Sequence, residues 1–302
     1  MNQGSKRAIY AAFIANFGIA IAKLIGALIT GSAGLLAEAV HSAADTGNQA
    51  LLLVGGKKAG RQSNDEFQFG FGRERYFWSF VVALVLFSMG GLFALYEGIQ
   101  KLFHPHETTS FEIAIGILLV AIALETFSLR TAVREANHTK PKSMSWFRFI
   151  RTTKQPELPV VLLEDIGAEV GLVIALGGVL AAHFTHNPRF DAAGSIAIGV
   201  LLVVIAIFLA IEMKSLLMGE AALPEQQNQI RAALLADEEV RGIIHMRTMH
   251  IGPDEVLVAA KLDFDTSLDL AQLALAIDRA EARAREAVPT QLTIYIEPDI
   301  RR

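Results

Sequence analysis

The chain has 302 residues, 52% hydrophobic and only 19% charged, which is too apolar for two ordinary soluble domains. Its 27 basic and 31 acidic residues leave a net charge of −4, so no cationic excess points to nucleic acid. Cysteine is absent, which excludes disulfides, thiolate metal sites, iron–sulfur clusters and cysteine nucleophiles; any transition metal would have to be held by His and carboxylates.

Six apolar stretches reach the roughly 20 residues that a hydrocarbon core requires. They cover residues 9–30, 33–56, 76–103, 111–129, 159–183 and 192–212. Basic residues set their orientation. Lys6 and Arg7 precede the first span. Lys57, Lys58, Arg61, Arg73 and Arg75 lie between the second and third, and Arg130, Arg134, Lys140, Lys142, Arg148, Arg151 and Lys154 between the fourth and fifth. The opposite connections hold only Lys101 and Arg189, and fourteen against two puts both termini in the cytoplasm. The expected location is a bacterial plasma membrane, because the sequence opens almost directly on the first span without an Arg/Ser-rich presequence.

Beyond Gly219 the charges return. A polar helix is expected over 225–236, strands over 242–251 and 255–264 across a Gly-Pro-Asp turn, a helix over 268–287 capped by Ser267, and a strand over 291–297. The order α-β-β-α-β describes a small α+β domain. The expected division is a six-helix transmembrane domain, 1–216, and a cytoplasmic domain, 217–302. No nucleotide loop, Gly-rich fingerprint or catalytic-serine elbow occurs in it.

Ionisable groups inside the spans carry the functional signal, since each costs about 2.5–3.5 kcal/mol at mid-membrane. In the second span Glu38, His41 and Asp45 are spaced three and four apart and share a helix face. In the fifth, Asp165 and Glu169 share a face, while Glu164 points about 140° away from Glu169. Lys23 lies in the first span and Glu125 in the fourth; Glu97 lies near the outer end of the third, where it reaches water. Six carboxylates (Glu38, Asp45, Glu125, Glu164, Asp165 and Glu169) therefore face one lysine and one histidine. Some of them must be protonated, bind a cation or touch water. The pairs His41/Asp45 and Asp165/Glu169 can form a cage of one nitrogen and three oxygens, which suits a tetrahedral divalent transition metal. The competing reading is a set of interhelical salt bridges and hydrogen bonds.

With these residues the chain resembles the cation diffusion facilitators over essentially its whole length. The carriers are His41-Ser-Ala-Ala-Asp45, Asp165-Ile-Gly-Ala-Glu169, Thr30-Gly-Ser-Ala-Gly34 and Phe69-Gly-Phe-Gly-Arg-Glu-Arg-Tyr76. His41-Ser-x-x-Asp-Thr-x-Asn-Gln49, Val161-Leu-Leu-Glu-Asp165 and Asn187-Pro-x-x-Asp191 are most similar to the zinc-transporter-nine-like branch. The resemblance implies six spans, a metallochaperone-like tail and a homodimer. Many zinc members carry His where this chain has Asp165, so the site is harder, and manganese, iron(II) and cobalt gain weight beside zinc. Phe67 and Phe71 stand where imidazoles are expected in the loop before the third span, so that loop site is lost. The tail keeps His245, Glu297 and Asp299 but lacks the other histidines that the resemblance implies, which leaves a binuclear zinc site there in doubt.

The expected function is export of a divalent transition-metal cation, zinc first, in exchange for protons, with no catalysis and no cofactor. Ligands must be deprotonated to bind, so metal and protons displace one another, and His41 is the natural coupling group. The alternatives are an intramembrane metal-dependent hydrolase with Glu164 as base, and a membrane metal sensor.

Overall fold

The computed structural model describes the backbone of residues 3–105 and 110–300 and the side chains of 17–105 and 110–300. Lys6 and Arg7 have their side chains outside that range. The chain divides into two compact units: Met1–Gly56 with Phe77–Met213, and Lys57–Tyr76 with Lys214–Arg302.

The first unit is helical. Helix α1 spans Gln3–Thr30, α2 Ala33–Ala59, α3 Glu74–Val85, α4 Phe93–Phe103, α5 Phe111–Thr139, α6 Trp146–Thr152, α7 Glu157–Thr185 and α8 Arg189–Met218. Each expected span falls within this helical framework. Among the described residues, Glu74–Phe103, Phe111–Thr139 and Arg189–Met218 are long and apolar enough to cross a membrane, with mean hydropathies of 2.1, 2.0 and 3.0. Leu28, Phe127, Val204 and Ile211 are exposed, as expected where lipid replaces water as the solvent.

The third span is not one regular helix. A π-helical turn, Leu86–Leu92, joins α3 to α4. Immediately beyond it α4 and α8 pack through glycine: a Cβ on Gly98 would stand 2.8 Å from the Ile196 amide nitrogen, and one on Gly199 2.7 Å from that of Leu95. Hydropathy reports only that this stretch is apolar, and it is blind to a local change in hydrogen-bond register. Helix α6 is also new. Ser145 accepts the Arg148 N–H to cap it, and Phe149 buries against Ala136 and Leu162, so a basic connector becomes a short anchored helix.

One buried ion pair gathers three segments. Lys101, at the end of α4, and Asp191, in the first turn of α8, are 1% and 0% exposed. Lys101 Nζ donates to Asp191 Oδ2 at 2.7 Å and to the Gly31 carbonyl at 2.5 Å. Gly31 has a φ of 67°, a left-handed conformation open to glycine. Asp191 also accepts from Ser32 Oγ at 2.8 Å and from the Ala33 N–H at 2.9 Å, which caps the N-terminus of α2.

The second unit comprises α9 Pro224–Leu235, β1 Val240–Gly252, β2 Glu255–Phe264, α10 Leu270–Ala287, β3 Gln291–Asp299 and the segment Lys57–Tyr76. The sheet order is β1-β2-β3, with β1 antiparallel to β2 and β2 parallel to β3. Helix α10 is the crossover that the parallel pair needs. Its Ala276, Ala280 and Ala284 recur every fourth residue and are fully buried with Ile230, Leu234, Val258 and Leu262. Asp269, not Ser267, caps α10 by accepting the Gln272 N–H at 2.8 Å. Ser267 turns back instead: its amide and hydroxyl both donate to Asp265, which with Arg241 pushes that carboxyl down to about 2. Arg279 and Arg283 of α10 both reach the buried Asp237. Arg75 pairs with Asp254 at 3.1 Å, and Gly72 lies against Gly252.

Asp191→Ala removes the carboxylate that balances the buried Lys101 ammonium and is expected to cost about 3–5 kcal/mol, measured as unfolding of the purified protein in detergent. Lys101→Met combined with Asp191→Leu replaces both charges with apolar groups, and it should recover much of that loss.

Candidate metal centre

Helix α2 displays Glu38, His41 and Asp45 on one face, as the spacing requires. Glu38 and His41 are fully buried, and Asp45 is half-buried with a side-chain exposure of 19%. His41 Nε2 stands 3.5 Å from Asp45 Oδ2. The other face of the imidazole is turned to the third span: a Cβ on Gly90, in the π-helical turn, would lie 3.6 Å from His41 Nδ1.

Opposite, α7 contributes Glu164, Asp165 and Glu169. Asp165 Oδ2 accepts from Ser128 Oγ at 3.2 Å, and Glu169 Oε1 from Thr126 Oγ1 at 2.8 Å, both donors on α5. Glu164 is buried and accepts from Asn48 Nδ2 of α2 at 2.5 Å. A cavity of about 30 Å³ opens between α2, α5 and α7, and its polar lining includes Ser42, Asp45, Glu125, Ser128, Glu164 and Asp165.

The structure thus brings Asp45 and Asp165 to one cavity, but His41 and Glu169 do not line it. Among the described residues no three His, Asp or Glu side chains converge on a point that could hold a metal ion. Glu164 does line the cavity, although helical direction alone separates it from Glu169. The 140° rotation is real, but the cavity extends along the α2–α7 interface, and Glu164 faces α2 through Asn48. Glu125 of α5 lines it too. Periodicity within one helix carries no information about which face of another helix it meets, so neither neighbour was visible in the spacing.

Several buried polar atoms here lack a hydrogen-bond partner: Glu38 Oε1, both ring nitrogens of His41, Asp45 Oδ1 and Glu169 Oε2. Native interiors satisfy nearly all such atoms, and exceptions concentrate where an ion or water is handled. Imidazole nitrogen and carboxylate oxygen, the atom types left unmatched on His41, Asp45 and Glu169, are donors that a borderline divalent cation accepts.

Phe67 and Phe71 pack against each other in their loop with tilted rings, centroids 4.8 Å apart and planes at 41°. In the tail, Lys261 Nζ bonds Glu297 Oε1 at 2.9 Å and Asp299 Oδ2 at 2.8 Å. The bonds to Asp299 and Glu297 raise the lysine above its ordinary range. His245 sits exposed across the ladder from Lys261. An ammonium thus occupies the carboxylates that a metal would need. Glu97 is partly exposed on α4 and joins none of these groups.

Asn48→Leu removes the donor to Glu164 and leaves a buried carboxylate oxygen unmatched, at an expected cost of about 1–3 kcal/mol in detergent unfolding. Adding Glu164→Leu to that variant removes the orphan and should restore part of the loss.

Comparison with known proteins agrees with this architecture. A family model described as the cation efflux transmembrane domain matches residues 9–218, and one described as the cytoplasmic domain of cation efflux proteins matches 222–299. The human protein named proton-coupled zinc antiporter SLC30A9, mitochondrial, is 32% identical over 244 residues, covering 80% of this chain and 43% of that protein. Metal tolerance protein C4 of Arabidopsis thaliana is 29% identical over 265 residues, covering 87% of this chain and 58% of the relative. Zinc transporter ZitB of Pectobacterium atrosepticum is 34% identical over 120 residues, covering 40% of this chain and 36% of its own. The chain therefore spans less than two thirds of the length of each of these relatives. Since the two models together follow both units nearly from end to end, the chain belongs to the cation efflux family, the cation diffusion facilitators.

Proposed function

We propose that this protein is a secondary transporter that moves a divalent transition-metal cation, zinc first, out of the cytoplasm in exchange for protons. One observation carries the reading: Asp45 of α2 and Asp165 of α7 line a common cavity within an apolar helical unit, and buried atoms of His41 and Glu169 on the same two helices lack hydrogen-bond partners. His41, Asp45, Asp165 and Glu169 are the proposed ligands. They are distributed as pairs on two helices, so a small relative shift of α2 and α7 would close them on an ion and the reverse shift would open them. Alternation of this kind exposes one site first to one side of the membrane and then to the other.

Proton exchange follows from the ligand chemistry. Carboxylates and imidazole bind a metal only when deprotonated, so each proton that returns to the site favours release. The names of the human and Pectobacterium relatives specify zinc, and that of the human relative proton coupling; both support this part of the proposal. The three-carboxylate set keeps manganese, iron(II) and cobalt as possible substrates. The division at about residue 217 is part of the same reading, as are a homodimer built partly through the tail and cytoplasmic termini. A bacterial plasma membrane remains the proposed location; the mitochondrial label belongs to the human relative. Glu164, the base that a hydrolase would need, is occupied by Asn48, and the family is one of cation transporters rather than enzymes.

Zinc uptake by proteoliposomes, measured with and without an imposed pH gradient, tests the whole reading. Flux should rise with the gradient and fall to background in both Asp45→Ala and Asp165→Ala; near-normal flux in the two variants would sink the site assignment.

Asp165→His adds a second imidazole and should raise the zinc-to-manganese uptake ratio in competition assays. An unchanged ratio would show that this position does not tune metal choice.

A further inference from the structure

A buried lysine stands directly behind the cavity. Lys23 of α1 is 1% exposed, and its ammonium touches three side chains on two other helices. It donates to Ser42 Oγ at 2.7 Å and lies 3.5 Å from both Glu38 Oε2 and Glu125 Oε1. Two of those three partners, Ser42 and Glu125, also line the cavity with Asp45 and Asp165. Glu38 is fully buried, and its Oε1 has no partner. The ammonium is therefore shared between two carboxylates at long range and not locked to either. Its contrast with Lys101 is plain: that lysine holds the Asp191 carboxylate at 2.7 Å and the Gly31 carbonyl at 2.5 Å.

We propose that Lys23 is a tethered counter-cation that competes with the transported metal for Glu125, and so sets how weakly the cavity holds its ion. This rests on the transport reading above. When the cavity carries no metal, the ammonium balances Glu38 and Glu125. When a divalent ion enters beside Asp45 and Asp165, it meets Glu125 with its charge already partly neutralised, and it meets a like charge at the cavity wall. The ion is then bound loosely enough to leave, as transport requires. Lysine suits the task because its compact charge rides on a flexible stem and can follow whichever carboxylate is free.

The test is zinc titration of the purified full-length chain in detergent by calorimetry, with zinc chloride as the only ligand. Lys23→Gln should tighten zinc binding by about tenfold or more, because the competitor is gone. Lys23→Arg keeps the charge and should stay close to wild type. A purely structural lysine gives the opposite result, since loosening the fold weakens binding; unchanged or weaker binding in folded Lys23→Gln overturns the proposal. If that variant does not fold, Glu38→Gln decides. It leaves Glu125 as the carboxylate partner of Lys23 and should weaken zinc binding, so unchanged or tighter binding there overturns the proposal. Asp45→Asn separates the two readings. Loss of zinc binding in Asp45→Asn without tightening in Lys23→Gln removes the lysine proposal alone, whereas undiminished binding in Asp45→Asn removes the metal site on which it rests.

Discussion

The cost of placing carboxylates in a medium of low dielectric governs the helical unit. Six of them lie on α2, α5 and α7 among apolar neighbours, and unmatched charge there is very unfavourable. The structure disposes of them unequally. Glu164 accepts from an amide, Asp165 and Glu169 each accept from one hydroxyl with Glu169 Oε2 left unmatched, and Glu38 and Glu125 share one distant ammonium. Asp45 keeps an oxygen without a hydrogen bond beside an imidazole that makes none. A protein selected for stability alone would fill these positions with apolar side chains of similar volume, which usually does no worse than a buried ion pair. Their retention makes sense where an ion must pass.

Lys101 and Asp191 show what complete satisfaction looks like in the same unit. Both Asp191 oxygens accept hydrogen bonds, and the pair ties the α1–α2 turn, the end of α4 and the start of α8 together. A rigid frame and an incompletely matched site are complementary. Preorganised helix ends keep α2 in register, while the unsatisfied groups on its middle turns stay available to an ion. The π-helical turn at Leu86–Leu92 belongs to this arrangement, because it brings Gly90 against the ring of His41 and closes the side of the imidazole away from Asp45.

The tail resolves a similar charge problem in the opposite way. Glu297 and Asp299 receive the Lys261 ammonium at short distance, and Asp237 receives two guanidinium groups from α10. These are completed contacts of a small α+β domain whose core is built from alanines on α10 packed onto the sheet. The same carboxylate chemistry serves structure in one unit and, on the proposed reading, cargo in the other. The difference lies in whether a cation is covalently supplied nearby.

Much of this was legible in the amino-acid sequence. Hydropathy located the spans because burial in lipid demands about 20 apolar residues whatever the neighbours do. Helical spacing put Glu38, His41 and Asp45 on one face, since that geometry is internal to a single helix. The α-β-β-α-β order of the tail was legible for the same local reason. What the tertiary structure decided was every relation between elements. Only packing could bring Glu125 of α5 and Glu164 of α7 to the cavity beside Asp45, or set Lys23 between Glu38 and Glu125. Only packing could pair Lys101, which in sequence reads as a loop-margin cation, with Asp191 ninety residues away. Choice of cap at α10 and the π-helical turn were likewise settled by competition among nearby hydrogen-bond partners, where Ser267 bonded Asp265 and left Asp269 to take the helix end. Patterns along one chain segment encode which face is apolar; which other segment that face meets depends on the summed fit of all of them.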